Sequence, residues 1–113
     1  MPPKLEPCLL VQVPDKPGDE IAEKRRSHQI AHMTANKVQI DLGRLVMAGP
    51  TTETLPSGSD QVPPAITGSV MVWKGHEDEV RAWLDENPYA LMGVWDLESA
   101  MFTPFLCAVR KPM

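Results

Sequence analysis

An apolar run that closes on Gly-Pro constrains the fold of this chain most strongly. The run is Gly43-Arg44-Leu45-Val46-Met47-Ala48-Gly49-Pro50, and it follows a long stretch with helical periodicity. Its length and apolar side chains predict a strand from Arg44 to Ala48. Because proline has no backbone N–H to donate, we expect the strand to end at Gly49-Pro50.

The residues before this run predict a strand followed by one long helix. The segment from Pro7 to Val13 is short, apolar and bounded by proline, which is typical of a strand. A turn at Asp15-Lys16-Pro17-Gly18 separates it from a helix predicted from Asp19 to Leu42. Four apolar residues recur in this helix at helical spacing and should face a sheet. They are Ala31, Ala35, Val38 and Leu42.

A proline-rich segment and a second strand follow the central run. Residues 51–65 contain three prolines, so we expect either a mobile lid or an unstructured insertion. The strand predicted from Ile66 to Lys74 contains Gly68-Ser69, and a glycine inside a strand indicates a bulge or a close approach by another group.

The last segments predict a second helix and a final strand. The helix runs from Gly75 to Glu86, buries Val80, Trp83 and Leu84, and ends at Asn87-Pro88 because proline disfavours helix at the preceding residue. The chain is strand-like from Val94 to Val109, with a break near Thr103-Pro104.

The order strand, helix, strand, strand, helix, strand predicts a ferredoxin-like βαββαβ fold of the α+β class. Both helices should cover one face of an antiparallel sheet. The residues that we assign to the other face are, with their neighbours, too apolar as a set to face water; they are Leu10, Thr67, Ser69, Met71 and Trp73. A second copy of the chain is the simplest cover for such a face, so a homodimer is expected.

Length and composition predict one domain and exclude several function classes. The chain has 113 residues, which we divide into a flexible N-terminal arm, residues 1–6, and a single domain, residues 7–113. Its net charge is −4, and its longest basic run is Lys24-Arg25-Arg26, which disfavours a nucleic-acid partner.

Other classes are disfavoured by the hydropathy pattern and by cysteine usage. No apolar stretch is long enough to span a bilayer, and the first residues lack a signal-peptide core. We therefore expect a cytoplasmic protein that does not enter the membrane. The two cysteines, Cys8 and Cys107, are expected to be free thiols.

An ordered set of short motifs resembles the YCII-related family of the dimeric α/β barrel proteins. The set spans nearly all of residues 7–109 and comprises His32, Gly43–Pro50, Thr67-Gly68-Ser69, Trp83, Asn87-Pro88-Tyr89, Gly93-Val94 and Pro104-Phe105. The resemblance implies a ferredoxin-like fold that dimerises through its sheets. It also implies a cleft around a His–Asp pair, with no metal or organic cofactor.

The resemblance also implies a class of activity. One characterised relative removes hydrogen chloride from a chlorinated aromatic, and the wider superfamily contains isomerases, cyclases and cofactor-free oxygenases that act on small ring compounds. A small-molecule substrate and a place in secondary metabolism are therefore expected. Many members have no known activity.

This sequence departs from the family pattern at two positions. The Asp-Pro-Tyr of the family is Asn87-Pro88-Tyr89 here, which removes the negatively charged partner of His32. The arginine that the family has three residues before the histidine is Gln29, although Arg25 and Arg26 lie nearby.

His32 is the candidate general base, with Asn87 as the partner that orients it. An imidazole titrates near neutrality, so it can take and return a proton. The amide oxygen of an asparagine can fix the histidine tautomer but supplies no charge. The alternatives are a structural histidine at the edge of the core and a metal site shared by His28 and His32. We expect no metal.

Five further residues are candidates for binding the substrate. Ser69 could offer its hydroxyl, Gly49-Pro50 could let a ligand approach the backbone, Tyr89 has a polar tip, and Trp95 could stack on an aromatic ring. Ser69 lacks the Gly-x-Ser-x-Gly context of a nucleophile. It could equally be a structural serine, and core packing could explain Trp95.

The sequence therefore favours a cofactor-independent enzyme of the lyase, isomerase or cyclase type. It would use His32 to abstract a proton next to a carbonyl or phenol of a small cyclic or aromatic substrate. Ser69 or a backbone N–H near Gly49 would steady the developing oxyanion. The alternative is a non-catalytic small-molecule-binding dimer that has lost the His–Asp dyad. A small interaction subunit of a larger assembly is a third hypothesis.

Overall fold

A four-stranded antiparallel sheet with helices on one face forms the protein. The computed structural model describes residues 5–59, 62 and 64–111. The strands are β1 (Glu6–Pro14), β2 (Leu45–Thr52), β3 (Ile66–Trp73) and β4 (Met101–Cys107). The helices are α1 (Asp19–Ser27), α2 (Gln29–Asp41), α3 (Glu77–Asp85) and α4 (Pro88–Leu91), with a 3-10 turn at Leu97–Ser99. The strand order β2-β3-β1-β4 confirms the predicted ferredoxin-like α+β fold.

The core lies between the helices and the two central strands. Every second residue of a strand points to the same face, so Leu9, Val11 and Val13 of β1 form one apolar row. The helices close over this row with Ile21 of α1 and two residues of α3. The α3 residues are Val80 and Leu84, which lie on the buried face that the sequence predicts. Each such side chain stabilises the fold by about 1.5–3 kcal/mol when it leaves water.

The sequence assigned part of this core to the wrong face of the sheet. Leu9 pairs with Trp73 and Val11 pairs with Met71, so both β3 residues face the helices. Leu10 pairs with Val72 and lies on the opposite, open face. The predicted grouping of Leu10 with Ser69, Met71 and Trp73 is therefore wrong. Both faces of these strands are apolar, so alternation alone does not distinguish them.

The predicted long helix is two helices that meet at His28. This residue leaves helical geometry, with φ −110° and ψ 12°, and ends α1 while it begins α2. The buried residues of α1 are Ile21 and Arg25, whereas α2 has none.

The inward face of α2 also differs from the predicted one. Ala31, Val38 and Leu42 are exposed, and only Ala35 of that stripe is half-buried. The face turned toward the sheet instead carries three half-buried polar residues, His32, Asn36 and Gln39. It is displaced from the predicted stripe by roughly one residue, or about 100° of helix rotation. The polar residues lie inside because their side chains are hydrogen-bonded there.

Two strands continue through prolines at which the sequence predicted an end or a break. β2 runs through Gly49-Pro50 to Thr52, and β4 runs through Pro104. Both are edge strands, in which a missing N–H need not interrupt the ladder. β4 begins only at Met101, because the chain before it makes an isolated bridge from Trp95 to Asp15 and then the 3-10 turn.

The start of β1 and the loop after β2 can also be compared with the sequence. β1 begins at Glu6, which the sequence placed in the arm, and residues 1–4 of that arm lie outside the described residues. The loop after β2 is closed by a hydrogen bond from Glu53 N–H to Ala65 O at 3.0 Å. Residues 60, 61 and 63 of this loop are outside the described part of the chain.

The state of the two cysteines agrees with the sequence. Cys8 is buried, Cys107 is half-buried, and both are free thiols. Burial raises the pKa of the Cys8 thiol. Within residues 5–59, 62 and 64–111, we find no helix that combines the length and the apolarity needed for a membrane span.

Gly68 should be essential for the pairing of the two central strands. A Cβ built on Gly68 would lie 2.3 Å from the backbone oxygen of Val13, a contact that only backbone movement can relieve. We expect Gly68→Ala to lower the free energy of unfolding by about 1–3 kcal/mol. The measurement is chemical denaturation. Gly49→Ala is the matched control, since a Cβ there meets no atom within 4 Å. Equal stability of the two variants would contradict the predicted backbone clash.

Candidate active site

His32 makes a hydrogen bond at each of its ring nitrogens. Nδ1 lies 2.8 Å from Oδ1 of Asn87, which is the partner that the sequence predicts. Nε2 lies 3.2 Å from Nδ2 of Asn36, one helical turn further along α2. Asn87 Nδ2 in turn donates to Asn36 Oδ1 at 3.4 Å. The three side chains therefore form a closed hydrogen-bonded ring.

The backbone N–H of Tyr89 fixes the direction of every bond in this ring. It donates to Asn87 Oδ1 at 3.0 Å, as Asn87 caps the first turn of α4. A backbone N–H can only donate, so this atom of Asn87 is the oxygen. His32 must then carry its proton on Nδ1. Its Nε2 is left with a lone pair, which accepts the N–H of Asn36.

The surroundings keep His32 in its neutral form. Burial lowers the pKa of His32 most strongly, because the charged imidazolium would lose its hydration. The nearby positive charge of Arg25 also lowers this pKa, while the hydrogen bond to Asn87 and the charge of Asp15 raise it. At neutral pH, Nε2 is therefore a proton acceptor.

Aromatic rings hold the imidazole in place. The ring of Tyr89 stacks on His32 with centroids 3.9 Å apart and an interplanar angle of 11°. Trp95 meets His32 edge-on at 5.6 Å. On Tyr89, the guanidinium of Arg25 lies 4.7 Å from the ring centroid. The imidazole is thus fixed by two rings as well as by two hydrogen bonds.

A buried arginine supports this aromatic cluster. Arg25 donates to both carboxylate oxygens of Asp15, at 2.7 and 3.0 Å, and to the backbone oxygen of Gly68 at 3.1 Å. It also donates to Ser69 Oγ at 3.0 Å. Such bidentate pairing compensates for the removal of both charges from water. The sheet and α1 are joined here by one side chain.

Three of the predicted binding residues lie within this support. Ser69 is buried, and its Oγ accepts from Arg25 and from Trp95 Nε1, the latter at 3.1 Å. The Tyr89 hydroxyl donates to the backbone oxygen of Arg25 at 3.1 Å, and burial raises the pKa of this hydroxyl. Trp95 is buried. The polar groups of all three therefore already have protein partners.

The remaining candidates lie on the edge strand β2. Gly49 pairs with Val70, and Pro50 pairs with Ser69, so the two residues are directed to opposite faces of the sheet. Pro50 is thus on the same face as Ser69, while Gly49 is on the open face. The structure does not place Gly49 beside His32.

A cleft of about 200 Å³ adjoins the hydrogen-bonded ring. Asn87 lines the cleft and is also a member of the hydrogen-bonded ring, so it links the cleft to His32. The other lining residues come from α2, β3 and α3 and the turn after it. They are Ala35, Val38, Gln39, Trp73, Trp83, Leu84 and Glu86.

Several residues of the site were missed in the sequence. Asn36 could have been found from its spacing, since residues four apart share one side of a helix and His32 precedes it by four. Asp15 and Arg25 are ten residues apart and meet only because a turn joins β1 to α1. The sequence predicts Asp15 only as part of that turn.

Metal binding has little support among the described residues. They contain no group of three or more His, Cys, Asp or Glu side chains that could hold an ion. His28 directs its Nδ1 to the backbone oxygen of Lys24 at 2.9 Å. The absence of a metal or cofactor in the reaction stays a prediction.

The fold and the site define the class of this protein. It is a ferredoxin-like α+β protein in which a neutral histidine is held between an asparagine pair beside a cleft. The chain belongs to the YCII-related domain family, whose sequence profile matches residues 8–99. The resemblance stated from the motifs is therefore confirmed.

Two relatives share much of the sequence. The Xenovulene A biosynthesis cluster protein asL2 of Sarocladium schorii is 48% identical over 112 residues, which cover 96% of each chain. The Derivative of benzaldehyde biosynthesis cluster protein C of Emericella nidulans is 39% identical over 87 residues. That match covers 74% of this chain and 84% of the relative.

A solved structure has a similar fold. It is the 5-chloro-2-hydroxyhydroquinone dehydrochlorinase TftG from Burkholderia phenoliruptrix AC1100, in complex with 2,5-dihydroxybenzoquinone. The TM-score is 0.64 with 21% sequence identity, and the match covers 85% of this chain and 90% of TftG. At this identity the similarity supports the fold.

The lowered pKa of His32 should make the protein less stable in mild acid. A histidine in the unfolded chain binds a proton near pH 6.5, whereas the folded state resists protonation of His32. The free energy of unfolding should therefore fall as the pH drops below about 6.5, until the pH passes the folded pKa. Denaturation at a series of pH values measures this slope.

Two variants assign the slope to its residue. His32→Gln should remove part of it, because glutamine does not titrate. His28→Gln, one helical turn earlier, should retain it. If His32→Gln keeps the full slope, the histidine is not held neutral by its surroundings.

Proposed function

We propose that this protein is a cofactor-independent enzyme of the lyase, isomerase or cyclase type. His32 Nε2 abstracts a proton from a carbon next to a carbonyl or phenol group of a small cyclic or aromatic substrate. The proton moves to Nε2, and the electron pair of the broken C–H bond moves into the ring toward the oxygen. Loss of a leaving group, ring closure or return of the proton to another carbon then completes the reaction.

The single observation that carries this proposal is the fixed tautomer of His32. A general base needs a lone pair, a neutral resting state and a defined direction. Nε2 has the lone pair, the pKa of His32 is lowered, and the bond from Nδ1–H to Asn87 Oδ1 orients the ring. The imidazolium that forms during the reaction keeps this bond to the amide oxygen.

Asn36 has a role in the same step. Its N–H bonds to Nε2, so a substrate proton must displace it. Once displaced, the N–H is a donor beside the base, where the substrate oxygen gains negative charge. Ser69 is less suited to stabilise that oxygen, because it is buried within the support of the site, where Arg25 and Trp95 donate to its Oγ.

The comparisons support the class of substrate. Both relatives are named for biosynthesis clusters, in agreement with a place in secondary metabolism. TftG is a dehydrochlorinase in complex with a dihydroxybenzoquinone, and elimination of hydrogen chloride is a lyase-type reaction. We extend to this chain only the broad class, a small oxygenated ring compound.

A second candidate function is binding without catalysis. Asn87 gives His32 no negative charge, and Asn36 occupies the lone pair that a base requires. Both observations fit a protein that kept the cleft of its family and lost the chemistry. Activity of the variants below distinguishes the two functions.

The activity test depends on His32 and Asn87. Turnover by the wild-type protein is screened with dihydroxyquinones and chlorinated hydroquinones to find a substrate, and His32→Ala should then abolish turnover of that substrate. With that substrate, Asn87→Asp should keep turnover and move the base limb of the pH profile upward by about one to three pH units. The added carboxylate favours the imidazolium, while the reaction needs the neutral ring.

Asn36→Ala and His28→Gln complete the series. Asn36→Ala should lower kcat by removing the oxyanion donor, and His28→Gln should leave turnover unchanged. If His32→Ala retains a measured activity, His32 is structural and the proposed base is wrong. If Asn87→Asp leaves the pH profile unmoved, His32 does not titrate in the rate-limiting step.

We further propose that the protein is a homodimer joined through the open face of the sheet. This face carries Leu10 of β1, Val70 and Val72 of β3 and, on the edge strands, exposed Met47 and Met101. An apolar sheet face of this kind favours burial against a second copy.

Sedimentation should measure the mass of a dimer at micromolar concentration. Leu10→Lys, which places a charge at the centre of the open face, should give monomers or shift the dimer to higher concentration. Arg81→Ala on the helix side is the control and should leave the dimer intact. A monomeric wild-type chain at micromolar concentration would exclude the interface.

A further inference from the structure

We infer that the cleft beside Asn87 binds a planar ring compound through a carbonyl or phenolate oxygen that accepts the indole N–H of Trp73. This inference rests on the proposed function only in that the ring compound is the proposed substrate. It adds a binding residue outside the hydrogen-bonded ring of His32, Asn36 and Asn87, and it specifies which group of the substrate is recognised.

Trp73 carries a buried donor without an acceptor. The side chain is 2% exposed and lines the cleft. Its Nε1 has no hydrogen-bond partner within the described part of the chain, and no other buried side-chain nitrogen or oxygen there has this property. An indole nitrogen donates and cannot accept, so the missing partner must be an acceptor. A buried donor without a partner is costly, and native proteins rarely leave one.

The other tryptophan of the cleft forms a rigid wall. The Trp83 ring lies 5.6 Å from that of Trp73, at an angle of 36°. The guanidinium of Arg44 lies 4.4 Å from the Trp83 ring centroid. Gly75 packs against the ring edge so closely that a Cβ would lie 2.9 Å from it. A fixed indole offers a planar ligand a stacking surface.

The size and the lining of the cleft suit a single ring. An apolar cavity of about 150 Å³ holds a benzene molecule, so the roughly 200 Å³ here can hold one substituted ring. The polar side chains of the lining are Gln39, Glu86 and Asn87. Arg44 Nη1 donates to Gln39 Oε1 at 3.4 Å and so ties this side of the cleft to the Trp83 wall. Asn87 connects the cleft to His32.

Two probes that differ by one oxygen test the inference. Acetophenone is a planar ring with a carbonyl, and ethylbenzene has the same ring and carbon chain without the oxygen. The chain contains three tryptophans, so their indole N–H signals can be assigned in a ¹⁵N correlation spectrum from single Trp→Phe variants. Titration of the wild-type protein gives both the dissociation constant and the shift of each signal.

Acetophenone should move the Trp73 N–H proton signal downfield, because a hydrogen bond forms. The shift should reach a plateau as the binding site fills. Ethylbenzene should produce no downfield shift at Trp73 and should bind about tenfold more weakly, as expected for one lost hydrogen bond. The inference is wrong if acetophenone saturates the protein while the Trp73 signal stays in place. It is also wrong if neither probe binds up to its solubility limit.

Variants then assign the preference for the carbonyl to Trp73. Trp73→Phe should bind the two probes equally, while Trp83→Phe, the matched aromatic control, should keep the tenfold preference. Because the readout is a ratio, a general loss of affinity does not affect it. An undiminished preference in folded Trp73→Phe would overturn the inference. If Trp73→Phe does not fold, the wild-type Trp73 signal still decides.

His32→Ala separates this inference from the proposed function. His32 is connected to the cleft only through Asn87, so the variant should keep the preference for acetophenone over ethylbenzene, whatever happens to the affinity for both. A retained preference together with His32-independent turnover supports the cleft and refutes the proposed base. Loss of turnover in His32→Ala, with no carbonyl preference in the wild type, supports the base and refutes the role of Trp73.

Discussion

The hydrogen bond from Tyr89 N–H to Asn87 Oδ1 is the interaction on which the site depends. It begins α4 at the Asn-Pro pair, where Pro88 has no N–H and Asn87 supplies the cap. The same oxygen accepts from His32 Nδ1, so one backbone donor determines the tautomer of a side chain on a different helix. Tyr89 is also the ring on which His32 stacks. A local capping requirement thereby fixes the position, the orientation and the protonation site of the imidazole.

The inward-facing polar side chains of α2 separate the parts of the fold that the sequence could predict from the part that it could not. The order of the elements, the antiparallel sheet and the pairing of His32 with Asn87 were predictable, because they follow from local periodicity and from family motifs. The face of α2 was not. An apolar stripe of alanine, valine and leucine normally marks the buried side of a helix. Here the side turned toward the sheet carries His32, Asn36 and Gln39, which are hydrogen-bonded to Asn87, to His32 and to Arg44 respectively. Asn87 is 55 residues away from His32, and Arg44 lies beyond the end of the helix, so helical periodicity reveals neither partner.

The same reasoning applies to the strands and to the support of the site. β2 and β4 pass through prolines because both are edges, and edge position is a property of the assembled sheet. Met71 and Leu10 lie on opposite faces of the sheet, and only the register of β1 against β3 shows this. Arg25 of α1 meets Asp15, which follows β1, and Gly68 and Ser69 of β3. It stands within the basic run Lys24-Arg25-Arg26, and the structure buries it as the link between α1 and the sheet.

Under the proposed function, in which His32 is the base, asparagine at position 87 places a condition on the substrate. A carboxylate there would strengthen the base through its charge, but an amide leaves His32 with a pKa that burial and Arg25 depress. A weak base removes only a proton that the substrate itself makes acidic, so a carbonyl or phenol must be conjugated to the reacting carbon. Such a substrate carries an oxygen acceptor on a planar ring. The buried donor on Trp73 and the lowered pKa of His32 are separate observations, and under the two proposals both favour the same kind of molecule.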